Sequence, residues 1–129
     1  MHCLDTDVMI DFLRGKPDAV KAMKGFSVDG VSTTCLNVCE LYKGAFLSGA
    51  PEAEVARVAN FLRNVNVLGL DEKAARIYGN IFARLKTQGM LKQEFDMLIA
   101  AICISHGQAF VTRNSKDFSA MPGIELEKI

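Results

Sequence analysis

The chain has 129 residues, of which 50% are hydrophobic and 23% are charged, a composition typical of a folded globular protein. This length and composition predict a single domain over residues 1–129 and exclude a disordered tail or a low-complexity scaffold. Because 15 Lys and Arg balance 15 Asp and Glu, binding to nucleic acid through bulk positive charge is excluded, and such a role would need a local basic patch or a metal.

Hydrophobic patterning predicts alternating strands and helices along the chain. The strand candidates are 2–4, 30–33, 65–70, 109–112 and, at the edge, 124–126. The helix candidates are 8–13, a short helix from Pro17, 37–47, 51–64, 71–87 and 95–106. The apolar stripes of 55–62 and 77–85 are expected to pack inward, with a dimer or partner contact as the alternative. Strands separated by helices predict a parallel sheet with helices on both faces.

No segment of the sequence is expected to enter a membrane. The longest uninterrupted apolar run, 97–104, is far shorter than the about 20 residues that a bilayer span requires. The first residues lack the pattern of a secretory signal, since an acid follows almost at once. We therefore expect a cytoplasmic protein.

Acidic residues recur where parallel strands end, which is where ligands bind in such sheets. Asp5 and Asp7 follow the first strand candidate. Either one can cap the following helix, but both cannot be its first capping residue, so one acid is left for another role.

The other acids also have a structural and a functional interpretation. Asn37 and Glu40 have the spacing of a capping box, which would make Glu40 a helix-capping residue. Asp117 can cap a short turn. Asp96 is harder to explain structurally, because it directly precedes the apolar segment 97–104 and a carboxylate there is costly unless it is paired or metal-bound.

Together these acids indicate a cation site. Carboxylates brought close to one another repel, and a divalent cation removes that penalty. Oxygen ligands without nearby histidine or thiol favour Mg²⁺ or Mn²⁺ over zinc. Such a site can activate water and stabilise charge on a phosphoryl group.

Three blocks of the sequence resemble PIN domains. LDTDVMIDFL at 4–13 and STTCLNVCELYKGA at 32–45 resemble the first two motifs of that family. FDMLIAAICISHGQAFVTRNSKDF at 95–118 is the most specific block and resembles the last motifs of the VapC toxin ribonucleases, a PIN subfamily. The blocks occur in the order of the family and span essentially the whole chain.

The resemblance implies a three-layer α/β/α sandwich with a central parallel sheet of four to five strands. It implies a Mg²⁺- or Mn²⁺-dependent endoribonuclease, the toxin of a toxin–antitoxin pair. The implied catalytic and metal-binding residues are Asp5, Glu40, Asp96 and Asp117. The implied supporting residues are Thr6, Asp7, Thr112 and Asn114. Because some family members carry Asp at the position of Asn114, either Asn114 or Asp117 is the fourth residue of the metal site.

The resemblance also implies partners. These are an RNA substrate, a VapB-like antitoxin that covers the active site, and a second copy of the chain in a homodimer. Since the acids would repel RNA, basic residues must offset them, and Arg113 adjoins the site in sequence. Further candidates for contacts with phosphate are Arg14, Lys16, Lys43, Lys86 and Lys92.

Two alternatives stay open at the level of the sequence. Asp5-Thr6-Asp7-Val8 resembles the opening motif of haloacid-dehalogenase-type phosphatases, with Asp5 as nucleophile and Asp7 as acid/base. No second acidic loop of the type that those enzymes carry follows a later strand. The other alternative is a PIN fold that binds partners without catalysis.

Overall fold

The computed structural model describes residues 1–28 and 30–129. The strands are β1 (His2–Leu4), β2 (Val31–Thr34), β3 (Asn66–Leu68), β4 (Ala109–Thr112) and β5 (Leu126–Lys128). The helices are α1 (Thr6–Leu13), α2 (Pro17–Phe26), α3 (Cys35–Phe46), α4 (Pro51–Leu62), α5 (Glu72–Thr87), α6 (Glu94–Ser105) and the single turn α7 (Ser115–Phe118). In the described part of the chain, no helix has both the length and the hydropathy that a bilayer crossing requires.

The strands form a parallel sheet in the order β3-β2-β1-β4-β5. β1 lies at the centre, with Cys3 opposite Ser32 of β2 and Phe110 of β4. The chain first adds β2 and β3 on one side of β1 and then β4 and β5 on the other side. The carboxyl ends of β1, β2 and β4 therefore lie side by side. Ligands bind at such a reversal in open α/β sheets.

Helices cover both faces of the sheet, so the fold is the expected three-layer α/β/α sandwich. Successive strand residues point to opposite faces. Cys3 and Phe110 contribute to a core with α5 and α6, whereas Leu4 and Val111 contribute to a core with α1, α3 and α4. The expected sheet of four to five strands is confirmed.

The apolar helix α6 lies deep in the protein, as its all-round apolar sequence predicts. Its residues 99–103 are essentially inaccessible to water. α5 packs along it, and the stripe of α5 is buried through Ala74, Ile81 and Leu85. The stripes of α4 and α5 are therefore core-facing, as expected from helical spacing.

Two local expectations about the helix ends are changed by the structure. The capping box of Asn37 and Glu40 is wrong, because α3 begins two residues earlier and Thr34 caps it by accepting a hydrogen bond from the Asn37 amide. Asp117 lies inside the one-turn helix α7 and does not cap it. By contrast, Asp71 caps α5 as expected, through the amide of Ala74.

Candidate active site

The candidate site lies at the carboxyl ends of β1, β2 and β4 and at the start of α6. Asp5 directly follows β1, and Thr112 is the last residue of β4. Glu40 lies one and a half turns into α3, which follows β2 without a loop. Asp96 is in the first turn of α6. Elements far apart in sequence thus bring polar groups to one edge of the sheet.

Asp5 is held by hydrogen bonds on both carboxylate oxygens. It is the N-cap of α1, and its Oδ1 accepts from the Thr6 amide at 2.8 Å and from Asn37 Nδ2 at 3.2 Å. Its Oδ2 accepts from the Thr112 hydroxyl at 2.7 Å. Asp5 is therefore the capping acid, and Asp7, which is exposed, is the surplus one.

The pKa of Asp5 is raised from 3.8 to about 6. Burial is the largest cause, because a charged carboxylate loses hydration there. The hydrogen bonds from Thr112 and Thr6 oppose the shift, whereas the negative charges of Asp7 and Glu40 add to it. Among the described residues no ion pair forms with Asp5, so its negative charge has no cationic partner in the protein.

Asn37 connects the Asp5 side of the site to Glu40. Its Nδ2 donates to Asp5 Oδ1 and, at 2.9 Å, to the Thr6 hydroxyl, which in turn donates to Glu40 Oε1 at 2.8 Å. Its Oδ1 accepts from the Thr34 hydroxyl at 2.7 Å. The amide is fully buried. Sequence reasoning treated Asn37 only as a capping residue and missed this role.

The negative charge of Glu40 acts on both Asp5 and Asp96. The pKa of Asp96 is raised, first by burial and then by the negative charges of Glu40 and Asp117. Since the charge of Glu40 also raises the pKa of Asp5, the four acids form one connected electronegative region. Of these acids only Asp117 has a cationic partner in the described part of the chain, Lys92, with 3.6 Å between Nζ and Oδ1.

The β4 end of the site is ordered by a further set of hydrogen bonds. Thr112 accepts from the Asn114 amide at 2.9 Å, and the Asn114 side chain donates to Asp117 Oδ2 at 3.1 Å. Asn114 thus orients Asp117, so the two candidates for the fourth position are joined. Asp117 and Asp96 line a cleft of about 340 Å³ together with residues 91–94.

The carboxylates surround one region without forming a ready-made ligand cage. Over residues 1–28 and 30–129, no three His, Cys, Asp or Glu side chains are arranged to hold a metal ion as they lie. Glu40 is turned to the Thr6 hydroxyl and Asp117 to Asn114 and Lys92. Mutual repulsion of like charges favours this separation.

The basic residues that the sequence indicated are distributed differently. Arg113 donates from Nε to Asp11 at 2.8 Å and from Nη2 to Asp18 at 2.9 Å, so these groups are already occupied within the chain. Arg14 is the C-cap of α1 and lines a separate cleft with residues of α3 and α4. Lys43 is exposed on α3, three residues beyond Glu40.

A comparison with protein families identifies the class of this fold and site. The PIN domain family model matches residues 2–124. The chain is 32% identical, over 96% of its length and 94% of the relative's, to the tRNA(fMet)-specific endonuclease VapC of Salmonella typhimurium. It is 31% identical, over 98% of its length and 96% of the relative's, to ribonuclease VapC2 of Haemophilus influenzae.

A solved structure agrees with these relatives. The chain matched in the crystal structure of DNA-bound VapBC from Salmonella typhimurium superposes with a TM-score of 0.90 at 31% identity, covering 98% of this chain and 96% of that one. The chain therefore belongs to the PIN domain family and, within it, to the VapC group.

Proposed function

We propose that this chain is a divalent-metal-dependent endoribonuclease and the toxin of a VapBC-type toxin–antitoxin pair. Its PIN fold and its relatives, which are named as ribonucleases, support a nuclease. The observation that carries the proposal is the buried, hydrogen-bonded Asp5, whose raised pKa reflects burial and neighbouring negative charge. A protein keeps such an arrangement, at a cost in stability, where function requires it.

The donor set fits a divalent cation. Asp5, Glu40, Asp96 and Asp117 would hold the ion, and they offer only oxygen ligands, which suits Mg²⁺ or Mn²⁺. A divalent cation would offset the burial and the neighbouring negative charges that raise the pKa values of Asp5 and Asp96. When bound, the ion supplies activation of water and stabilisation of negative charge on the phosphate.

The remaining groups of the site act by fixing the ligands. Thr112, Asn37 and the Thr6 amide hold the two oxygens of Asp5 in place. The Thr6 hydroxyl holds Glu40. Because hydrogen bonds to ligands set their orientation and affinity for metal, these residues support cleavage without contacting RNA.

A carboxylate with a raised pKa also suits proton transfer near neutral pH. Asp96 is half-buried beside the cleft, and burial and its acidic neighbours raise its pKa. Without a cation, it would accept a proton more readily than an ordinary carboxylate does. A bound cation lowers the pKa of its carboxylate ligands. We therefore assign most of the metal binding to Asp5 and Asp96, and proton transfer from water to one of the four carboxylates.

The chain also needs partners and a route for RNA. Arg14 and Lys43 are exposed and available for contacts with phosphate, whereas Arg113 must first leave Asp11 and Asp18. The VapBC complex among the structural relatives supports a VapB-like antitoxin as the partner of this chain. A single PIN domain over 1–129 and a homodimer remain predictions.

Cleavage of bulk RNA by the purified, antitoxin-free chain tests the proposal. We expect discrete fragments with Mn²⁺ or Mg²⁺ and none with EDTA. The same preparation is offered p-nitrophenyl phosphate, which a phosphatase hydrolyses and a ribonuclease does not. Release of nitrophenol without RNA fragments would favour the phosphatase with Asp5 as nucleophile. A folded protein that is inactive in both assays would favour the silent binding module.

A further inference from the structure

Lys92 lies beside the candidate carboxylates in the segment that joins α5 to α6. Its Nζ is 3.6 Å from Asp117 Oδ1, and 25% of its side chain is exposed. Asp117 is anchored from the other side, since its Oδ2 accepts from Asn114. Within residues 1–28 and 30–129, this is the ion pair that includes one of the four acids.

Lys92 also lines the cleft that holds the carboxylates. Lys92, Asp96 and Asp117 line the same cleft of about 340 Å³. Lys92 therefore supplies positive charge inside an otherwise electronegative cleft. A polyanion that enters this cleft meets Lys92 as well as Asp96, because both residues line it.

The ion pair between Lys92 and Asp117 is easily exchanged. Its 3.6 Å separation is longer than a direct hydrogen bond, and 44% of the Asp117 side chain is exposed. Ion pairs of this kind contribute little to stability. Lys92 also has a flexible stem and three donors, which lets it change partner without moving the backbone.

Two other basic residues, Arg113 and Lys16, already have acidic partners within the chain. Arg113 is bound to Asp11 and Asp18, and Lys16 lies 3.3 Å from Asp11. We infer that Lys92 binds a backbone phosphate of the RNA in the cleft, exchanging Asp117 for that phosphate. The inference rests on the proposed ribonuclease function and assigns one residue of its substrate contact.

This role predicts an effect on binding and not on the chemical step. Neutralising a phosphate contact reduces the salt dependence of binding to single-stranded RNA by about 0.7 in the log–log slope. KM for RNA rises severalfold, while kcat stays within about twofold, because the ground state and transition state lose the same contact.

The test uses a fluorescein-labelled 20-nucleotide single-stranded RNA of mixed sequence. Its affinity is measured by anisotropy between 50 and 300 mM NaCl in EDTA, so that no cleavage is needed. The variants are Lys92→Gln, Lys92→Arg and, as the matched control, Lys73→Gln. Lys73 is exposed in the first turn of α5, roughly 20 Å along the helix from the segment that carries Lys92. KM and kcat for bulk RNA follow with Mn²⁺.

The expected result is a shallower slope and a higher KM for Lys92→Gln alone, with Lys92→Arg close to wild type. A slope equal to wild type in Lys92→Gln would overturn the inference. A fall in kcat without a change in slope would overturn it too, since Lys92 would then act only through Asp117. Binding with the expected slopes but no cleavage by wild type would overturn the ribonuclease function and leave the phosphate contact standing. No binding by wild type at 50 mM NaCl would overturn the phosphate contact, whereas cleavage with Mn²⁺ alone decides the ribonuclease function.

Discussion

At the scale of single residues, Asp5 combines a structural and a functional interpretation that the sequence presents as alternatives. It caps α1, and it is also a buried acid with a raised pKa at the carboxyl end of β1. The sequence predicted the acids because their positions after strands can be read locally. It could not predict Asn37 as their connector, because its contacts with Asp5 and Thr6 span more than 30 positions of the chain.

The raised pKa of Asp5 predicts a pH-dependent loss of stability in metal-free protein. Below about pH 4 the Asp5 carboxyl is protonated in both the folded and the unfolded protein. As pH rises towards 6, the unfolded chain ionises first, so the free energy of unfolding falls. The rise in the pKa of Asp5 from 3.8 to about 6 corresponds to about 3 kcal/mol of the free energy of unfolding, and this stability is lost above pH 6.

Asp5→Asn removes the pH-dependent loss of stability, because Asn does not ionise. It keeps the helix cap, since Asn caps helices as well as Asp does. We expect the variant to gain stability relative to wild type by up to about 3 kcal/mol between pH 4 and pH 7. Urea unfolding with EDTA at several pH values measures the difference. Parallel stability curves for the two proteins would show that ionised Asp5 costs nothing.

At the scale of elements, the presence of the helices was predicted better than the residues at which they begin. The range 71–87 and its cap Asp71 were read correctly, because a long amphipathic stripe and an isolated capping residue agree. For α3 the apolar stripe starts late, and the buried Thr34 that caps it looks like part of the strand. The single turn α7 is too short to produce a periodic signal.

Thr34 and Asp71 provide a matched pair of caps, because each accepts from the amide three residues on. We expect Thr34→Ala and Asp71→Ala each to lose about 1 kcal/mol of stability in urea unfolding. Only Thr34 also donates to Asn37 Oδ1. Thr34→Ala is therefore expected to weaken Mn²⁺ binding and slow RNA cleavage roughly tenfold, the lower range for groups that support metal ligands.

Calorimetric titration with Mn²⁺ and initial cleavage rates measure these two effects. Asp71→Ala should leave both unchanged, since α5 begins outside the site. Equal losses of activity in the two variants would mean that the effect comes from general destabilisation. That result would contradict the interpretation that Asn37, held by Thr34, positions Asp5.

At the scale of the whole molecule, alternating strands and helices were enough to predict the class of fold. The strand order was not predictable in this way, because the pairing of β1 with β4 joins residues more than 100 positions apart. Contacts of similarly long range determine the partners of Arg113. It follows β4 directly, yet its guanidinium contacts Asp11 and Asp18. Burial tends to raise the pKa of Asp11, but the hydrogen bonds and positive charges of Lys16 and Arg113 together lower it.

The central claim is that the four carboxylates form one metal-dependent active site, and paired Asp→Asn variants test it most directly. RNA cleavage with Mn²⁺ is compared for wild type, Asp96→Asn and Asp71→Asn, with cooperative unfolding of each protein as the check on folding. Asp96→Asn is expected to lose about 100-fold or more, beyond the range for residues that only support ligands. Asp71→Asn, also at a helix start, is expected to cleave like wild type. Equal cleavage by all three proteins would contradict the account.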